Sequence, residues 1–183
     1  MPSVAELSLA LLLGAIFALA AGSKLSAWQE LPGVIRNFRL LPRGLVLPAA
    51  LLLPVAEAAI AVGLQVPAVR TAAALGAALL LLAFAAALAI SLQRGRREID
   101  CGCFRSDLRQ PVSAALVVRN LLLALASLAL AAWPSGLAPQ PFEWLIAGAA
   151  AATLLSCHLA TGLVFQPAPP RYEDNFHASS RNH

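Results

Sequence analysis

Apolar residues fill this chain in five blocks, over roughly 4–21, 45–64, 71–92, 112–133 and 142–165, and the segments between them hold most of its charge. Each block is near the roughly 20 residues that a helix needs to cross a hydrocarbon core. Strands are excluded as the spanning form, because an isolated strand in lipid leaves its backbone N–H and C=O groups unpaired. The pattern therefore predicts an all-α polytopic membrane helical bundle of five transmembrane helices, four being the alternative count. Pro48 and Pro54 interrupt the second block, and a membrane helix tolerates them where neighbouring helices satisfy the freed carbonyls. No internal repeat is visible. The bundle is expected to form a single domain through residue 165, followed by a disordered tail over 166–183, which is polar and proline-rich.

Composition sharpens the picture. Of 183 residues, 60% are hydrophobic and 12% charged, whereas a soluble domain is about half apolar and about a quarter charged. Runs of alanine and leucine this long cannot all be hidden in one small aqueous core, so the lipid bilayer is the expected solvent. "ALAAGS" at the end of the first block resembles a signal-peptide cleavage site. The residues before it include Glu6 and no lysine or arginine, so a retained helix is the expected reading.

The net charge of +4 does not mark a nucleic-acid protein, because the basic residues form no face. Their distribution reports orientation instead. Lys24, Arg36, Arg39 and Arg43 follow the first block. Arg94, Arg96, Arg97, Arg105 and Arg109 lie between the third and fourth, and Arg171 and Arg181 are in the tail. These alternate segments carry eleven of the thirteen basic residues; Arg70 lies on the other side and Arg119 falls within the fourth block. The positive-inside rule then places the N-terminus outside and the C-terminus in the cytoplasm. Between the first two blocks, "SKLSAWQELPGVIRNFRLLP" suits either a segment lying in the headgroup region or an ordinary loop.

The most charged loop contains "EIDCGCFRSDLRQP", with Cys101 and Cys103 one glycine apart. Gly102 permits the tight backbone that brings the sulfurs together. A disulfide over so short a spacing is strained and easily reduced, and Arg97, Arg105 and Arg109 favour the reactive thiolate. A redox pair, half of a metal site completed elsewhere, and idle thiols in a reducing cytoplasm are the three readings. Three cysteines are too few for a disulfide scaffold, and no metal site is assigned.

Charges inside spans come next. Glu57 and Arg119 lie within the second and fourth blocks, where an isolated charge costs at least a few kcal/mol. They are expected to face the interior, either paired with each other as a packing salt bridge or lining a path. Their depths differ by roughly 8 Å along the helix axes. Asn120 can add an interhelical hydrogen bond. Cys157 and His158 lie at the depth of Arg119, roughly 10 to 12 Å from the cytoplasmic end of their span. Cys157 reads as an apolar filler, and His158 can hydrogen-bond a quinone carbonyl or relay a proton. No cofactor is required, a quinone being the one candidate. Lys24 reads chiefly as an anchor that snorkels to the surface.

"FALAAGSKL" closing the first span, Glu57 in the second, "CGCF" before the fourth and "RN" within it resemble the MauE family. These methylamine-utilisation membrane proteins are grouped with the wider DoxX-like small membrane proteins. The resemblance runs from about residue 17 to 120, and its motifs land on Cys101, Cys103, Glu57, Arg119 and Asn120. It implies a bacterial inner-membrane protein needed to produce the methylamine dehydrogenase light (beta) subunit, which is periplasmic, disulfide-rich and carries a tryptophan-derived quinone. It also implies a thioredoxin-like partner, MauD.

The expectation is an accessory factor for maturation, processing or transport of that subunit, acting by thiol–disulfide exchange at Cys101 and Cys103. A small transporter or export subunit, and a scaffold without redox chemistry, are the alternatives. The charge distribution puts the thiols on the cytoplasmic face while the client folds outside. A fixed relay would want a second pair near the outer face, and only Cys157 remains.

Overall fold

The computed structural model describes residues 4–95, 113–132 and 141–164, and among these every regular element is helical. Helix α1 covers Val4–Ser26, α2 Leu31–Phe38, α3 Arg43–Gly63, α4 Arg70–Gln93, α5 Ala114–Ala132 and α6 Pro141–Val164, and a 3₁₀ turn, Pro67–Val69, joins α3 to α4. All but α2 are long and apolar enough to cross a membrane. The protein is thus an all-α multi-pass membrane bundle. Cys101, Cys103, the arginines from Arg96 to Arg109 and the tail over 166–183 lie outside the described residues.

Two differences from the expected spans matter. First, α1 continues to Ser26 and takes Lys24 into the helix. Second, the segment after it contains a short helix, α2, entered through Pro32 near its N-terminus, where the missing N–H costs nothing. Leu31, Val34, Ile35 and Phe38 follow the spacing of one helical face and turn toward the bundle, whereas Arg36 and Asn37 are exposed. In α3 both prolines lie inside one continuous helix. Each removes a backbone donor, freeing the carbonyls of Gly44 and Ala50, and Pro54 is buried among neighbouring helices.

Helix α1 is central. It packs against α3 and α6 and touches α5, while α4 and α5 share the most extensive interface and α3 leans on both α4 and α2. The core is built from small residues with a few larger ones: Ala10, Leu13 and Phe17 of α1, Ala74 and Ala77 of α4, Ala124 of α5. In lipid there is no hydrophobic drive between helices, so close backbone approach and dispersion contacts hold them, which favours small side chains at the seams. Gly14 shows this directly. A Cβ there would collide with the Gln65 side chain and stand 3.4 Å from the Ala61 carbonyl. Leu79 and Leu145, by contrast, are 72% and 77% exposed, as expected of side chains that face acyl chains.

Candidate functional site

Among the buried charged side chains of the described residues, four form two ion pairs, both involving α1. Glu6 and Lys24 stand 18 residues apart on that helix, about 27 Å at the helical rise. Near its N-terminal end, Glu6 Oε1 accepts from Arg70 Nη1 at 2.7 Å. Arg70 Nε also donates to the Leu64 carbonyl at 3.0 Å, so one guanidinium ties α1 to the α3–α4 turn. Gln65 adds a third tie there, its Nε2 donating to the Ala10 carbonyl at 3.0 Å. This end of the bundle is closed by polar bonds whose partners lie more than 50 residues apart in sequence.

The second pair lies toward the other end of α1. Lys24 Nζ donates to Glu57 Oε1 at 2.7 Å, and the two side chains are 4% and 1% exposed. The lysine does not snorkel outward as the sequence had led us to expect. Side chains on a helix tilt toward its N-terminus, so a lysine in the last turn of α1 points back into the bundle. Its Nζ lies 3.5 Å from the Ala20 carbonyl, one turn back, and 5.6 Å from the centroid of the Phe84 ring on α4, within cation–π range. Glu57 Oε2 has no hydrogen-bond partner among the described residues.

The expected pairing of Glu57 with Arg119 is therefore corrected: the cation that meets Glu57 is Lys24. Buried positions of α5 are Ala124, Ser127 and Leu130. Counting back by helical turns brings Asn120, not Arg119, onto that face. Arg119 lies about 100° further round. It is near enough to His158 of α6 for the two to interact electrostatically, in keeping with the equal depth expected of them. Cys157, next to His158, is exposed and faces away from the bundle, so it does not fill a packing gap. Asn120 Nδ2 donates to the Leu116 carbonyl of its own helix at 2.8 Å.

Lys24 and Asn120 share a cavity of about 330 Å³. Its walls come from the C-terminal half of α1, the inward face of α2, the first half of α3, the second half of α4 and the start of α5, and apart from those two residues they are apolar. All these segments lie at the end of the bundle from which the chain leaves α4 and re-enters α5. The helix ends on either side of the cysteine-bearing stretch, that of α4 at Gln93 and that of α5 at Ala114, lie there. Among the described residues no group of three His, Cys, Asp or Glu side chains is placed to hold a metal.

Neither Lys24 as a buried partner nor the Glu6–Arg70 pair was expected. The signal was present in the spacing. Glu6, Ala10, Leu13, Phe17, Ala21 and Lys24 recur every three or four residues, as do Val46, Ala50, Pro54, Glu57 and Ala61, and both sets are buried stripes.

Comparison with known proteins gives a consistent result. A family model described as "Methylamine utilisation protein MauE" matches residues 1–134, which include α1 through α5. Proteins named methylamine utilization protein MauE are similar over most of the chain. The one from Paracoccus denitrificans is 49% identical over 161 residues, covering 85% of this chain and 87% of its own. That from Methylorubrum extorquens is 46% identical over 138 residues, 74% of each. That from Methylophilus methylotrophus is 39% identical over 160 residues, 85% of this chain and 82% of its own. No solved structure matches.

Proposed function

Because the chain belongs to the MauE family, we propose that it serves methylamine utilisation from within the bacterial inner membrane, as an accessory factor for maturation of the methylamine dehydrogenase light subunit. Its chemistry in this reading is thiol–disulfide exchange at Cys101 and Cys103 with a thioredoxin-like partner of the MauD type. A thiolate of the partner attacks the Cys101–Cys103 disulfide, a mixed disulfide forms, and the partner's second thiol resolves it. The partner leaves oxidised, and Cys101 and Cys103 are left as thiols. Re-forming their disulfide releases two electrons and two protons to an acceptor.

The observation that supports this reading is how closely the two helices that flank the thiol pair in sequence are packed. The connector holding it joins α4 to α5, the most closely packed helices of the bundle. Those helices are braced in turn by α1, held by buried ion pairs to α3 and to the first residue of α4. A strained, readily reduced disulfide works best on a base that does not yield. In the same proposal the N-terminus is periplasmic and the C-terminus cytoplasmic, on the strength of the basic residues in alternate loops.

The test is substitution of the thiols. Cys101→Ser and Cys103→Ser should each abolish accumulation of mature dehydrogenase while leaving this protein in the membrane, and Cys157→Ser should do much less. Normal client levels in the Cys101/Cys103 double variant would remove the redox role and leave transport or scaffolding.

A further inference from the structure

We infer that the cavity between Lys24 and Asn120 is a binding site for the ring of a membrane quinone, which accepts the electrons released by the proposed thiol pair. The electron-transfer half of this statement rests on that thiol reading; the binding half does not.

Four observations select this ligand class. The cavity lies among four long apolar helices and α2 and is walled by apolar side chains, so its occupant is lipophilic. Its volume, about 330 Å³, is at the lower end of the roughly 300–1,000 Å³ range of ligand pockets and suits a single ring. Its polar end offers hydrogen-bond donors. Lys24 commits one N–H to Glu57 and one, at 3.5 Å, to the Ala20 carbonyl, which leaves a third, and Asn120 commits one amide N–H to Leu116 and has another.

The fourth observation is charge. Glu57, immediately behind Lys24, already balances the ammonium at 2.7 Å. A fatty-acid carboxylate or a lipid phosphate would add an uncompensated negative charge beside Glu57 in a low-dielectric site. A neutral carbonyl is accepted without that penalty, and Phe84, in the same wall, presents an aromatic ring to a flat headgroup. A neutral, ring-shaped, carbonyl-bearing membrane lipid is a quinone.

The redox balance closes with this acceptor. Two thiols lose two electrons and two protons and form one S–S bond, and one quinone takes up two of each to become the quinol. No further oxidant enters the step.

The experiment uses the full-length protein in nanodiscs, with decylubiquinone as probe, laurate as the competing anionic amphiphile and titration calorimetry as readout. Decylubiquinone should bind saturably, one per chain, and laurate at least tenfold more weakly. Filling the cavity with Ala83→Phe and Ala87→Phe should weaken quinone binding at least tenfold. Asn120→Leu, which leaves the cavity open and the Lys24–Glu57 pair intact, should weaken it about fivefold without changing the thermal midpoint. Absence of saturable quinone binding, tighter binding of laurate, or quinone affinity unmoved by Asn120→Leu would overturn the site. The Cys101→Ser/Cys103→Ser double variant should bind decylubiquinone like the parent and fail to reduce it. If client maturation survives in that variant, the thiol reading falls while the binding result stands on its own.

Discussion

At the scale of single residues, the behaviour of this protein is set by charges that lipid does not tolerate alone. Lys24 and Glu57 neutralise one another out of reach of water. Removing one member of such a pair leaves the other stranded, at a cost of about 3–5 kcal/mol. Lys24→Met and Glu57→Gln should therefore each sharply lower the amount of folded protein in membranes, and the double change should recover much of it. A cycle between Glu57 and Arg119 gives the contrast. Those two residues serve different partners, so their effects should add within about 0.5 kcal/mol. Thermal unfolding in detergent, with immunoblots of membrane fractions, reads both cycles. A large coupling energy between Glu57 and Arg119 would contradict the observed pairing. Arg70 does two jobs, donating to the Glu6 carboxylate and to the Leu64 carbonyl. Arg70→Lys retains the charge but not the fork, and should be less stable than the parent and more stable than Arg70→Met.

At the scale of elements, helix contacts are governed by small residues, and one glycine separates the tight seams from the loose ones. Gly14→Leu should force α1 away from Gln65 and Ala61, an overpacking cost of about 1–3 kcal/mol. Gly22→Ala, where nothing stands within 4 Å of an added Cβ, should be neutral or stabilise α1 by up to about 1 kcal/mol. Paired melting curves of the two variants decide the point. The same seams explain what could be read from the sequence and what could not. Block lengths alone located every long helix, because lipid demands roughly 20 apolar residues whatever the packing. Which face of each helix points inward was harder to see, since both faces are alanine and leucine and hydropathy does not tell them apart. Only rare polar residues mark the inner stripe, and they had to be read by helical spacing. Glu6, Lys24, Glu57, Arg70 and Asn120 lie on such stripes; Arg119 does not. Arg119 is the other charge within a span, but only Lys24 shares a buried stripe and a close contact with Glu57. Lys24 is hidden for a further reason: the apolar block stops at residue 21, whereas the helix runs on to Ser26 and takes the lysine with it. The cavity was not legible at all, because it arises where five helices meet.

At the scale of the whole molecule, orientation is the first thing to measure. Reporter fusions after Pro139 should read as periplasmic and fusions after Gly95 or Pro169 as cytoplasmic, following the bias of basic residues toward alternate loops. A cytoplasmic signal at Pro139 would invert that arrangement. The two ion pairs on α1 also bear on how the chain is made. Glu6 meets a partner that comes 64 residues later, and Lys24 one that comes 33 residues later. At a synthesis rate of about 5–20 residues per second, α1 waits roughly 3 to 13 s for Arg70 and roughly 2 to 7 s for Glu57. During that interval it carries two unmatched charges that a bilayer rejects by a few kcal/mol each. Such a helix is poorly suited to leave the insertion channel alone. Helices α1, α3 and α4 are expected to enter the lipid together, once the ribosome has passed Arg70. Nascent chains halted at Leu41 should accordingly remain beside the channel and be extractable, whereas chains halted beyond Gln93 should be integrated and resist extraction.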